Sequence, residues 1–171
     1  MPTEQEEAVV ERLLATIGRY ALGFQALEGV IEQGLDLLWG LDNHSQNYDR
    51  LARMTNQQKI DAWQTEFRGN PLNARGRSRP DWVDHFEQLV VRLHAERKRR
   101  NSILHSQYLY DFVKIGHPVL QTDPRGEQTN WTDERQMELL DQLTKLAFDT
   151  GHARMQILHD VGAVQRGTWR P

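Results

Sequence analysis

The sequence predicts an all-α fold: an up-and-down bundle of about four main helices, with a short β-hairpin-like or loop insertion before the last one. Three observations carry this. Val10, Ile17, Phe24, Ile31 and Leu38 recur every seven residues. Two later segments, 82–104 and 139–161, carry apolar stripes at helical spacing. Only the segment 109–131 loses that period, with short apolar runs around an Asp-Pro-Arg-Gly turn signal.

The first element is one long helix. Leu13, Tyr20, Leu27 and Leu41 fill the companion positions of the seven-residue repeat, and Gly34 is its gap. A seam of about four heptads demands partner helices. Thr3 with Glu6 has the spacing of a capping box at its start. Gly18, Gly23, Gly29 and Gly34 lower helix propensity and permit either close helix contacts or a bend. The helix should end near Gly40, before "LDNHSQN".

A shorter helix follows Thr55, which forms a second capping-box pattern with Gln58. Ile60, Ala62, Trp63 and Phe67 supply its apolar contacts. "RGNPLNARGRSRP" (68–80) has no period and reads as a loop, with Pro80 suited to the first turn of a third helix. Trp82, Val83, Phe86, Leu89, Val90 and Leu93 form the buried stripe of that helix. At 100° per residue the stripe continues through Arg97, Arg100 and Leu104, with Asn101 on its flank. Arg99 points nearly the opposite way and Lys98 to one side. A last helix starts near Thr132 or Asp133, with Leu139, Leu140, Leu143, Leu146, Ala147, Ile157, Leu158 and Val161 inward. The expected organisation is a single domain over 1–171, its core spanning roughly 8–162, with 163–171 a loose tail.

Composition narrows the function classes. The chain has no cysteine, which removes disulfides, thiolate nucleophiles and cysteine-based zinc sites. No run of about 18 apolar residues predicts a membrane span. The first residues are acidic and lack a basic-then-apolar leader, so no signal peptide and a cytoplasmic location are expected. The net charge of −3 is unevenly spread. Residues 1–49 hold nine acids against two arginines, whereas 68–100 hold nine bases against four acids. Either the two segments pair within the fold, or a local basic face holds a phosphate backbone. No Walker loop, Gly-x-Ser-x-Gly elbow or Rossmann fingerprint is present, and no two histidines have His-x-x-x-His spacing. Neither a metal nor another cofactor is expected.

The candidate chemistry lies in "ERKRRNSILHSQY" (96–108). Arginines on a buried stripe need partners, because an unpaired buried charge is costly. Arg97 and Arg100 therefore meet either an acid, such as Glu28 on the first helix, or a phosphate held between helices. His105 lies four residues after Asn101, one turn on and on the same helical side. A histidine exchanges protons near neutral pH, an arginine stabilises a pentavalent phosphorane, and Asn101 orients the imidazole or contacts substrate. That set suffices for metal-free transesterification of RNA, with the 2′-hydroxyl as nucleophile.

Arg100-Asn101-Ser102-Ile103-Leu104-His105 resembles the signature of the HEPN superfamily of helical-bundle proteins: Arg, four to six residues, then His, often with a polar residue directly after the Arg. "GFQALEGVIEQGLDLL" (23–38) is similar to that family's first helix, which often carries an acid near the position of Glu28. The resemblance covers roughly 8–162. It implies a metal-independent endoribonuclease, frequently a toxin or defence component, that acts on RNA as a homodimer and has an antitoxin or regulatory protein as partner. Arg100 and His105 would be catalytic and Asn101 supportive, with Arg97 and Lys98 adding phosphate contacts. A two-fold axis beside the third helix would bring two motifs into one basic cleft. A subgroup carries Tyr two residues after the His; here that position is Gln107, and the tyrosine follows at Tyr108. Other members are non-catalytic, so the alternative is a helical module that binds a protein partner or RNA.

Overall fold

The computed structural model describes residues 4–109, 113 and 117–168, and the side chains of all of these except residues 5 and 6. Thr3 of the expected first cap and the last three residues of the expected tail lie outside this range. The fold is broadly all-α. Among the described residues there are six α-helices and one three-stranded antiparallel sheet. None of these helices is long and apolar enough to cross a membrane.

The helices are α1 (Glu4–Trp39), α2 (His44–Leu51), α3 (Asn56–Gly69), α4 (Ala74–Arg77), α5 (Pro80–His105) and α6 (Asp133–Gln165). The strands β1 (Gln107–Leu109), β2 (Val119–Thr122) and β3 (Gln128–Trp131) occupy the expected insertion. The expected end of α1 near Gly40 and the expected starts of α3 after Thr55, of α5 at Pro80 and of α6 at Asp133 hold, and the insertion is a three-stranded sheet, one strand more than a hairpin. Two helices escape the sequence reading. α2 is polar and buries only Asn47 and Leu51, so it shows no apolar period. α4 is a single turn inside the expected loop. Leu41 and Leu158, expected inside, are 57% and 39% exposed. Leu41 lies beyond Gly40, whose φ of +92° ends α1, so the helical phase no longer applies to it. Residues 163–168, expected to be loose, contain the end of α6 and a cap in which the Thr168 amide and hydroxyl both donate to the Ala163 carbonyl, each at 3.1 Å.

The chain divides into two compact units. One comprises Met1–Phe24 and Lys98–Lys145, the other Gln25–Arg97 and Leu146–Pro171. In the second unit the seam of α1 supplies Leu27, Ile31, Leu35 and Leu38, all buried. Against them lies an aromatic cluster. Phe67 stacks on Phe86 at 3.7 Å between ring centroids, and Trp63 meets Phe86 edge-on at 5.0 Å. Gly34 interrupts the seam because a Cβ there would stand 2.6 Å from the Trp63 indole nitrogen. The indole occupies the place of a side chain. Thr55 closes the capping box of α3: its hydroxyl accepts from the Gln58 amide, and the Gln58 side chain accepts from the Thr55 amide. Buried Asp160 anchors the α4 region, accepting from Arg79 and lying 3.5 Å from the Arg75 guanidinium.

In the first unit, Leu13, Tyr20 and Phe24 of α1, Ile103 of α5, and Leu139 and Leu143 of α6 are buried. The Thr16 hydroxyl donates to Gln136 at 2.8 Å, a polar tie between α1 and α6. The sheet has the order β1-β2-β3, pairing Tyr108 with Gln121 and Leu120 with Asn130. The Asp-Pro-Arg-Gly signal is the β2–β3 turn. The Asp123 carboxylate accepts from the amides of Arg125 and Glu127, which holds the turn closed.

Candidate active site

The motif occupies the last two turns of α5, within the first unit. His105 is the final residue of the helix and is exposed, as is Asn101 one turn earlier. Arg100 is half-buried, as its place on the stripe requires. Its guanidinium carbon lies 5.8 Å from the centroid of the buried Phe24 ring, and its Nη1 donates to Asn101 Oδ1 at 3.2 Å. The aromatic face holds the guanidinium in place without neutralising it. Among the described residues, Arg100 forms no ion pair with an acid. Arg100 and Asn101 are thus joined directly. His105 stands one turn from Asn101 at i, i+4 spacing, with its ring open to solvent.

The other expected residues fall as follows. Lys98 is exposed. Arg97, in the second unit, is half-buried, and its Nε is buried without a hydrogen-bond partner. Glu28 is an acid partner, but the cation it holds is Lys59. The Lys59 ammonium donates to Glu28 at 2.5 Å and to Glu32 at 2.6 Å, with 8% of its side chain exposed. Burial by itself pulls the Lys59 pKa down; the hydrogen bonds and charges of the two carboxylates outweigh this and raise it above the usual lysine range. The sequence signal for this triad was the i, i+4 spacing of Glu28 and Glu32 beside the α1 seam.

Tyr108 does not extend the motif. Its hydroxyl donates to the Ile103 carbonyl at 2.8 Å and its ring packs edge-on against Trp131. Among the described residues no three His, Asp or Glu side chains gather to hold a metal ion.

Sequence reasoning missed a pocket of about 330 Å³ in the same unit. It is bounded by the last turns of α5, the β2–β3 arm and the first turns of α6. Its residues come from four elements distant in sequence, so no spacing announced it. Ser102, three residues before His105, lies on its wall, which makes the pocket a neighbour of the motif.

The chain matches no family model, no curated protein and no solved structure. A functional reading therefore rests on the residues and their geometry, together with the motif resemblance.

Proposed function

We propose that this chain is a metal-independent endoribonuclease of HEPN type that acts as a homodimer, with Arg100, Asn101 and His105 at its centre. The observation that carries the reading is the set itself. A guanidinium with no acid partner among the described residues, an exposed amide bonded to it and an exposed imidazole share the end of one helix.

The chemistry follows from those groups. The ribose 2′-oxygen attacks the adjacent phosphorus, and the bond from phosphorus to the 5′-oxygen of the next nucleotide breaks. One His105 imidazole takes the 2′-hydroxyl proton. An imidazolium, His105 of the second copy, delivers a proton to the departing 5′-oxygen. The products are a 2′,3′-cyclic phosphate and a 5′-hydroxyl end, and no water is consumed. Arg100 neutralises charge that grows on the phosphorane, and Asn101 positions it. Lys98 on the same helix end, with Arg97 before it, adds contacts to flanking phosphates. A toxin or defence role, with a protein antitoxin as partner, belongs to the same reading.

The test is cleavage of single-stranded RNA by purified protein in EDTA, comparing the wild type with His105→Ala. Loss of cleavage in the variant and cyclic-phosphate ends in the wild type are expected. Equal cleavage by the two proteins overturns the reading. A second reading, a non-catalytic helical module for a protein partner, is favoured by Val91 and Phe148, apolar yet 69% and 76% exposed. It expects no cleavage at any protein concentration, and partner binding that His105→Ala leaves intact.

A further inference from the structure

The pocket beside the motif has a floor and walls of different character. Ile103, Trp131 and Leu139 form the floor and are each less than 10% exposed. Trp131 is fixed there because its indole N–H donates to Gln121, whose own amide donates to Ser106 at 2.8 Å. Ser106 donates onward to the Ser102 carbonyl at 2.5 Å, so the indole N–H is already occupied and the floor offers an apolar surface.

The walls carry separated donors and acceptors. Arg135, on the first turn of α6, is exposed and forms no ion pair among the described residues. Glu127 presents a carboxylate from the β3 side. Glu138 accepts from Gln142 at 2.8 Å through one oxygen, and its other oxygen has no hydrogen-bond partner among the described residues. Gln142 in turn accepts from Arg99 at 2.5 Å, so this wall is braced before any ligand arrives.

A ligand for this lining needs a flat apolar face, donors for carboxylates and an acceptor for a guanidinium. Phosphate alone fails, because the carboxylates repel it. A simple hydrocarbon fails, because it strands the walls' polar groups. A nucleobase with an exocyclic amino group meets every requirement. Guanine meets them best: its N1–H and N2–H₂ edge suits a carboxylate, and its O6 and N7 suit an arginine. Uracil, with a single N–H donor, fits worst. The volume lies at the lower end of small-molecule sites and holds one base with part of its ribose.

We propose that this pocket binds one unstacked, amino-bearing nucleobase, guanine foremost, and thereby selects the position on a strand that reaches His105. The base-binding part rests on the pocket alone. The selecting part rests on the ribonuclease reading above. Ser102 supports the link, since residues three apart on a helix have Cβ atoms about 5–6 Å apart, within one nucleotide's reach of His105.

The test uses the full-length His105→Ala protein, so that strands stay intact, and a labelled uridine oligonucleotide with or without a single guanosine. Fluorescence anisotropy should show about tenfold tighter binding of the guanosine strand. Arg135→Ala and Glu138→Gln, both at exposed positions, should each remove most of that preference. Competition by free guanosine monophosphate assigns the pocket to nucleotides as well as strands; failure to compete assigns it to bases within a strand. Either result supports base binding. Equal affinity for the two strands, or a preference that both variants leave unchanged, overturns it. Wild-type cleavage separates the two proposals. RNA cut with no guanosine preference and no pocket binding removes the pocket and keeps the ribonuclease. Preferred binding with no cleavage does the reverse.

Discussion

The buried ion pairs of the second compact unit and the end of α5 in the first use charge in opposite ways. In the second, Lys59 is buried between Glu28 and Glu32, and Asp160, with no exposed surface, is held by Arg79 and Arg75. Every one of these charges has an opposite at hand. In the first, the end of α5 shows Lys98, Asn101 and His105 to solvent, and Arg100 leans on an aromatic ring and an amide. A charge buried with its partner contributes to the fold, because separating the pair leaves an uncompensated ion in a poorly solvated place. A cation held in position with no opposite charge among the described residues is ready for a ligand's charge. Position along the chain does not separate the two roles; the partner does.

The largest expected effect tests the ligand-ready side. On the ribonuclease reading proposed above, His105→Ala should lower RNA cleavage by about 10²–10⁴-fold, the usual weight of a general acid–base. Its unfolding free energy from urea titration should stay within about 0.5 kcal/mol of wild type, as for an exposed residue. A large stability loss would erase the contrast between the units. The fold-side counterpart is Lys59→Ala, which strands two neighbouring carboxylates. It should cost about 3 kcal/mol in urea titration and leave cleavage per folded molecule unchanged.

The same triad has a pH signature. Its lysine pKa is raised on folding, so its contribution is fully present below the unfolded value of about 10.4 and drains away as pH climbs through the folded value. Thermal melts from pH 7 to pH 11 should therefore fall more steeply at the alkaline end for wild type than for Lys59→Met.

Smaller effects probe packing within the second unit. Gly34→Ala drives a methyl group to 2.6 Å from the Trp63 nitrogen and should cost about 1–3 kcal/mol, seen with a shift in tryptophan fluorescence. Thr55→Ala removes one half of the α3 capping box and should cost about 1 kcal/mol. If Gly34→Ala proves neutral, the seam and the aromatic cluster are looser than their contacts imply.

How legible was this in the sequence? The long helices were, since a repeated apolar side chain every three or four residues reports local geometry. The phase of α5 correctly split Arg97 and Arg100, both half-buried, from exposed Lys98 and Arg99. α2 was not legible, because a helix that buries only Asn47 and Leu51 has no stripe to detect. The partner of Glu28 was not legible either. The sequence offered Glu28 as an acid for Arg97 or Arg100, but its cation is a lysine thirty-one residues away that reaches Glu28 and Glu32 only after α3 packs.

The sequence by itself determined the helical class, the end of α1 near Gly40, the starts of α3, α5 and α6, and the placing of Arg100, Asn101 and His105 on one helix. All of these depend on neighbours within a turn or two along the chain. Tertiary structure alone decided which charges are neutralised, why the seam has its gap at Gly34, and that α5, β2, β3 and α6 together enclose a pocket. Those depend on side chains brought together from distant positions, and no local period records which ones will meet.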